Sequence, residues 1–138
     1  MNDIAASLRH AYYMEDLNRI EVPPLLFAHR GGKADAPENT IEAFKLALLN
    51  GSNGLESDAQ VTECGNVVLH HDRKFGSLLK RKAIKRSELL HLPSSIPSLR
   101  DFYTEIDGDF DLSIDIKDSK AVEEILDISK EFLFPLEK

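Results

Sequence analysis

The sequence predicts an α/β fold with a partial parallel sheet, and three observations predict it. Short strand-like runs alternate with amphipathic stretches of about ten residues, the pattern of parallel strands joined by right-handed crossovers. Turn and capping residues mark most of the boundaries between them. Charged and imidazole side chains fall at the C-terminal ends of the strand-like runs, where α/β sheets bind ligands.

Residues 2–20 read as a polar helix with a weak apolar stripe (Ile4, Leu8, Tyr12, Leu17), ended by Pro23 and Pro24. Leu25 to Ala28 is a short apolar run that suits a buried strand, and it stops at His29-Arg30-Gly31-Gly32. Two glycines there predict a loop in which the backbone approaches something closely. A helix is expected from Asn39, as N-cap with Glu42 three residues on, buried through Ile41, Phe44, Ala47 and Leu48 and stopped by Asn50-Gly51. Gly54–Thr62 and Asn66–His71 read as a β-hairpin turning at Glu63-Cys64-Gly65-Asn66. In its first strand Glu56, Asp58, Gln60 and Thr62 share one face.

Residues 73–97 read as an irregular basic excursion with a short helical piece near Ser87–Leu92. A helix over Ser98–Ile106, capped by Ser98 with Asp101, precedes a strand over Phe110–Ile116. Asp118 or Ser119 caps a last helix with the stripe Val122, Ile125, Leu126, Ser129 and Phe132, ended by Pro135. The order is helix, then β-α-β(hairpin)-α-β-α, which leaves the sheet with an open edge.

At 138 residues the chain has the length of one ordinary domain, and 42% hydrophobic with 30% charged residues is a globular composition. Its net charge of −7 argues against nucleic acid as a partner. A single cysteine, Cys64, rules out an intrachain disulfide and fits a reducing compartment. The N-terminus lacks the apolar core of a signal peptide, and no run reaches the ~18 residues of a membrane span. A cytoplasmic location is the expectation.

Glu56 and Asp58, two apart on a strand, share a face. With Asp115 from the next parallel strand they give three carboxylates at one sheet end, a set that suits Mg²⁺ or Ca²⁺. The bland alternative is a solvated strand face. His29 ends the adjacent strand, and counting through the hairpin brings His71 near Asp58, so these two are the candidate acid and base. His10, His70 and His91 read as surface or satisfied core histidines. Arg30 and Lys117 are candidate phosphate binders, Arg through its two-pronged fork and Lys as a point charge. The run Lys80-Arg81-Lys82 with Lys85 and Arg86 reads as a solvated loop.

Several blocks then follow in order: His29-Arg30-Gly31, Pro37-Glu38-Asn39-Thr40 with Ala43-Phe44, Glu56-x-Asp58, Thr62-x-x-Gly65, Val67-Val68-x-x-His71-Asp72, Ile96-Pro97-Ser98-Leu99 and Ile114-Asp115-Ile116-Lys117. Over roughly residues 25–118 the chain resembles the glycerophosphodiester phosphodiesterases. The resemblance implies a partial TIM-type (β/α) barrel of the phospholipase-C-like phosphodiesterase class, its N-terminal half, with the β-hairpin after the second strand. Residues 1–22 would be an N-terminal helical extension and 23–138 an incomplete catalytic domain, since a closed barrel takes about 250 residues. The implied reaction is metal-dependent hydrolysis of a glycerophosphodiester to an alcohol and glycerol 3-phosphate. Carried over, Glu56, Asp58 and Asp115 hold the metal, His29 and His71 act as general base and acid, and Arg30 and Lys117 hold phosphate. Glu38 joins the polar substrate shell. Asp115 stands where Glu is commoner, one methylene shorter. The alternative is a truncated or degenerate, catalytically inactive relative that binds metal or phosphate only. The open sheet edge also predicts self-association.

Overall fold

In the computed structural model of the chain, residues 24–77 and 79–133 are described. The helix expected over 2–20 lies outside them, as do the 1–22 extension and Pro135.

A four-stranded mixed sheet organises the molecule. Its central strand is β2 (Gly54–Val61). On one side β6 (Asp111–Ile116) runs parallel to it, with Asp58 opposite Asp115. On the other side two short strands share the edge of β2. β1 (Phe27–His29) is parallel to its first half, with His29 opposite Glu56, and β3 (Val67–Leu69) is antiparallel to its second half. β2 therefore has neighbours along its whole length, and seven of its eight residues are buried. The alternation read from the sequence is real, yet its polar face is not solvated: Asp58, Gln60 and Thr62 are buried beside Leu55 and Ala59.

Helix α1 (Ile41–Leu49) buries Ala43, Phe44 and Ala47. Its N-cap is Thr40, whose hydroxyl accepts from the Ala43 N–H, not Asn39 as the sequence suggested. Asn39 instead has φ +57 and turns its side chain inward. Helix α2 (Leu99–Glu105) starts as expected, with Ser98 and Asp101 forming a reciprocal capping box. Helix α3 (Ala121–Leu133) buries Ala121, Ile125 and Ile128, while Val122 and Leu126 stay exposed. The buried stripe is thus rotated from the expected one, with Ala121, Ile125 and Ile128 joining the main core.

Phe44, Leu55, Ala59, Leu69, Leu99, Phe102 and Ile128 form the main core between the sheet and the helices. The Phe44 and Phe102 rings meet edge to face at 5.0 Å, a favoured aromatic geometry. Beyond β3 the excursion is more ordered than expected. A two-stranded hairpin pairs β4 (Lys74–Phe75) with β5 (Lys82–Ala83), followed by 3₁₀ turns at Ile84–Arg86 and Leu89–His91. It is pinned by a second apolar cluster of Val68, Ile84 and Ile96, with Phe75, Leu89 and Leu92 packed on it.

Candidate active site

The C-terminal ends of the parallel strands β1, β2 and β6 carry the expected polar residues, and strand register decides which of them meet. His29 opposes Glu56, and its Nε2 lies 3.8 Å from a Glu56 carboxylate oxygen. Immediately after β1 the backbone turns sharply. Arg30 has φ +54, Gly31 φ +77 and Gly32 φ +79, and the Arg30 N–H donates to Glu56 Oε2 at 3.0 Å. A side chain at Gly31 would place its Cβ 2.8 Å from that of Ala43, so this glycine lets the loop lie against α1.

Asp58 is the centre of the site. Its side chain is 2% exposed, with Lys117 Nζ 3.0 Å from Oδ1 and Arg30 Nε 3.1 Å from Oδ2. Asn39 Nδ2 donates to Oδ2 at 3.1 Å, while Asn39 Oδ1 accepts from the Ser57 hydroxyl at 2.7 Å. Burial opposes the charge on Asp58. The hydrogen bonds from Asn39 and Lys117 and the charges of Arg30 and Lys117 outweigh it and hold the carboxyl below its ordinary range.

Arg30 reaches two acids. Its Nη1 donates to Glu38 Oε1 at 3.1 Å, and Glu38 also pairs with Lys33 at 2.6 Å. The Lys33 hydrogen bond lowers the Glu38 pKa, against the desolvation of partial burial and with help from the Arg30 charge. The Arg30 Nε–H is near Asp58 but not aligned to donate to it, and it has no hydrogen-bond partner among the described residues. That nitrogen is enclosed by protein, so its tie to Asp58 is one of charge rather than a hydrogen bond. Lys117 bridges Asp58 and Asp115, and those hydrogen bonds, Asp115's first, raise its pKa.

The two candidate histidines stand differently. His29 belongs to the sheet end. His71 lies past the end of β3, because the register pairs Ala59 with Leu69 and brings the His70 N–H, at 2.8 Å, to the Asp58 carbonyl. It is therefore His70, one residue earlier than the count through the hairpin gave, that faces Asp58 along the backbone. The His71 carbonyl accepts from Gln60 Nε2 at 3.0 Å, and its Nδ1 lies 3.0 Å from Asp72 Oδ1. Arg81 Nη2 donates to the other Asp72 oxygen at 3.0 Å. The hydrogen bond with His71 is the main cause of a lowered Asp72 pKa, ahead of desolvation, which opposes it. His70 is half-buried; burial pushes its imidazole pKa down, against the raising charges of Asp72 and Glu38.

Glu56, Asp58 and Asp115 supply the hard oxygen donors that Mg²⁺ or Ca²⁺ prefers, on adjacent strands in register. The donor set and the strand positions fit a divalent cation. The side chains as placed are not gathered on one point. Among the described residues no three His, Cys, Asp or Glu side chains form a metal-holding group, and the Lys117 ammonium sits on both Asp58 and Asp115.

Asn39 and Asp72 are the residues that sequence reasoning passed over. Asn39 stood within the Pro-Glu-Asn-Thr block but had been given the capping role that Thr40 performs. Asp72 stood beside His71 without an assigned part.

A His-Arg-Gly turn thus follows β1, an acid pair lies on β2, and Asp115-x-Lys117 closes β6. The model of the glycerophosphoryl diester phosphodiesterase family matches residues 29–133. The chain belongs to this family. Among curated relatives, a glycerophosphodiester phosphodiesterase of Bacillus altitudinis is 42% identical over 59 residues, 43% of this chain and 24% of that protein. The human glycerophosphodiester phosphodiesterase 1 is 53% identical over 45 residues, 33% of this chain and 14% of that protein. Of solved structures, a Thermotoga maritima glycerophosphodiester phosphodiesterase superposes with a TM-score of 0.73 at 30% identity, covering 80% of this chain and 52% of that one. An Oleispira antarctica phosphodiesterase, solved with its product sn-glycerol-3-phosphate, shares the fold with a TM-score of 0.71 at 22% identity, over 79% and 53%. The sheet and its helices are accordingly part of a TIM-type barrel. The chain spans about half the length of the solved relatives it matches. Among the described residues no helix is long and apolar enough to cross a membrane.

Proposed function

We propose that the chain carries the reacting groups of a glycerophosphodiester phosphodiesterase, which hydrolyses a glycerophosphodiester to an alcohol and glycerol 3-phosphate. The observation that carries this reading is the buried Asp58 held between Arg30 and Lys117. Two cations held in place by acids suit the phosphate of a diester. Asp72 orients the His71 ring, and Glu56 lies beside the His29 ring.

In this reading one histidine takes the proton from the attacking oxygen, either water or the neighbouring substrate hydroxyl. The other gives a proton to the leaving alkoxide. His29 is the base and His71 the acid in the first step, by analogy with the family, and the two come from different elements of the fold. Arg30 and Lys117 neutralise charge on the phosphoryl oxygens, and Glu38 and Asp58 keep Arg30 aimed. Glu56, Asp58 and Asp115 would hold a Mg²⁺ or Ca²⁺ ion, which when bound would supply further charge neutralisation at the phosphate. A cytoplasmic location belongs to the same proposal.

The test is release of glycerol 3-phosphate from glycerophosphocholine with added Mg²⁺ or Ca²⁺, using the wild type and His29→Ala after a sizing column. Metal-dependent release that the substitution abolishes is the expected result. No release in any fraction, or equal release by His29→Ala, would overturn the reading and favour an inactive relative. The sizing step also reads self-association, for which β6 offers an edge: among the described residues it pairs only with β2.

A further inference from the structure

The excursion after His71 carries charge that the proposed hydrolysis does not use. Residues 73–87 hold Arg73, Lys74, Lys80, Arg81, Lys82, Lys85 and Arg86, seven of the 17 Lys and Arg of the chain, and none of its 24 Asp and Glu. With a net charge of −7 overall, the rest of the chain carries −14. All seven cations are exposed, and among the described residues only Arg81 has an acidic partner, Asp72. Such segregation on an acidic protein is a directed patch rather than a mixed solvated surface.

The patch is also amphipathic. Between β4 and β5, the Lys80 N–H donates to the Ser77 carbonyl at 2.9 Å and closes the tip of the hairpin. Gly76 makes the turn possible: its φ is +102, and a Cβ there would lie 2.6 Å from the Lys80 carbonyl oxygen. The tip presents Leu79, at 94% the most exposed large hydrophobic among the described residues. Phe75 and Ile84 anchor the base in the second apolar cluster, so the tip projects from a packed support. An exposed leucine followed in the chain by Lys80, Arg81 and Lys82 suits the boundary between lipid headgroups and acyl chains.

We propose that the β4–β5 hairpin is a membrane-surface contact that docks this protein on anionic phospholipid, with Leu79 entering the interface and Lys80, Lys82 and Lys85 meeting headgroup phosphates. Single-stranded RNA is the other polyanion to weigh. It is disfavoured because recognition of single strands draws on exposed aromatic rings, and Phe75, the one aromatic residue of the segment, packs against the core. The contact is coupled to the site by position: Arg81 holds Asp72, and Asp72 holds His71. The proposal goes beyond the hydrolysis reading, and its test requires no turnover.

The experiment is co-sedimentation of the whole chain with vesicles of phosphatidylcholine alone or mixed with phosphatidylserine. Binding to the mixed vesicles only is expected, with release at about 1 M salt, where screening shortens to ~3 Å. Combined Lys80→Glu, Lys82→Glu and Lys85→Glu should lower partitioning by about a hundredfold or more, at about fivefold for each cation lost from the surface. Leu79→Ser should lower it severalfold with the melting temperature unchanged. If the triple variant does not fold, Leu79→Ser and the salt titration of the wild type decide alone. No binding to phosphatidylserine vesicles, binding indifferent to Leu79→Ser, or binding of single-stranded RNA without vesicle binding would each overturn the proposal.

Discussion

Asn39 Nδ2 donates to Asp58 Oδ2 at 3.1 Å, joining the loop before α1 to the centre of β2. Asn39 adopts φ +57 to do so, a conformation that Asn tolerates better than most residues. Its other amide atom accepts from Ser57, so both ends of the side chain are used and both are buried. The loop carrying Arg30 and Glu38 is tied down by the same residue, since the Asn39 N–H donates to the Arg30 carbonyl at 2.9 Å.

Asn39→Gly keeps the backbone conformation available and removes both side-chain hydrogen bonds. It should destabilise the protein by about 2 kcal/mol, because a buried bond to a charged acceptor is lost. If the hydrolysis reading holds, the substitution should also reduce kcat. Thr40→Ala should cost about 1 kcal/mol as a lost cap and leave kcat alone. Urea unfolding and steady-state kinetics on the pair separate the two roles. Equal effects on kcat would sink the distinction.

Lys117 touches both Asp58 and Asp115, two of the three proposed metal ligands. Lys117→Met should tighten Mg²⁺ or Ca²⁺ binding by about tenfold, the equivalent of ~1.4 kcal/mol of removed competition. It should weaken phosphate at the same time. Titration calorimetry with each ion measures both, and an unchanged metal affinity would show that the ammonium does not compete.

His70 links stability to pH. Burial lowers its folded pKa below the ordinary 6.5. As pH falls below 6.5 the unfolded chain therefore takes up the proton first, so this contribution is full above that value and is lost as pH falls through the folded one. Urea midpoints between pH 7.5 and 5 should decline, all values being about those of ordinary imidazole titration. His70→Gln should flatten the slope. An equally steep decline in the variant would assign the effect to other groups.

Gly31→Ala combines a positive φ with a Cβ 2.8 Å from Ala43 Cβ and 2.9 Å from its carbonyl carbon. Strain and overpacking together should cost about 3 kcal/mol. Gly32→Ala, with φ +79 but open space around the added carbon, should cost distinctly less. Thermal melts of both variants make the comparison, and equal losses would mean that the close approach to α1 does not matter.

Much of the scaffold was legible in local sequence. The Ser98–Asp101 capping box and the Asn50-Gly51 stop each depend on neighbours a few residues apart. The strand expected to be buried at Leu25–Ala28 forms at Phe27–His29 instead, with Leu25 and Phe27 exposed, because it lies beside β2 alone and no strand covers its other edge among the described residues. Hairpin register was less so. A count centred between Cys64 and Gly65 put His71 by Asp58, whereas the ladder is centred on Cys64 and brings His70 there. A one-residue slip of this kind is invisible to composition and changes which side chain faces the partner strand. The role of Asn39 was hidden for a related reason, since its capping propensity is local and its bond to Asp58 spans 19 residues.

By itself the sequence determined the α/β order, the family resemblance and the residue types at the strand ends, because periodicity, caps and motif spacing are properties of the chain. Only the tertiary structure decided how those residues are paired. It buried the polar face of β2, set Asp58 between Arg30 and Lys117, placed Lys117 across Asp58 and Asp115, and turned a basic stretch into an anchored hairpin with Leu79 at its tip. Those outcomes depend on strand register and on competition among distant charges for the same carboxylate, and both arise only once separate parts of the chain share one space.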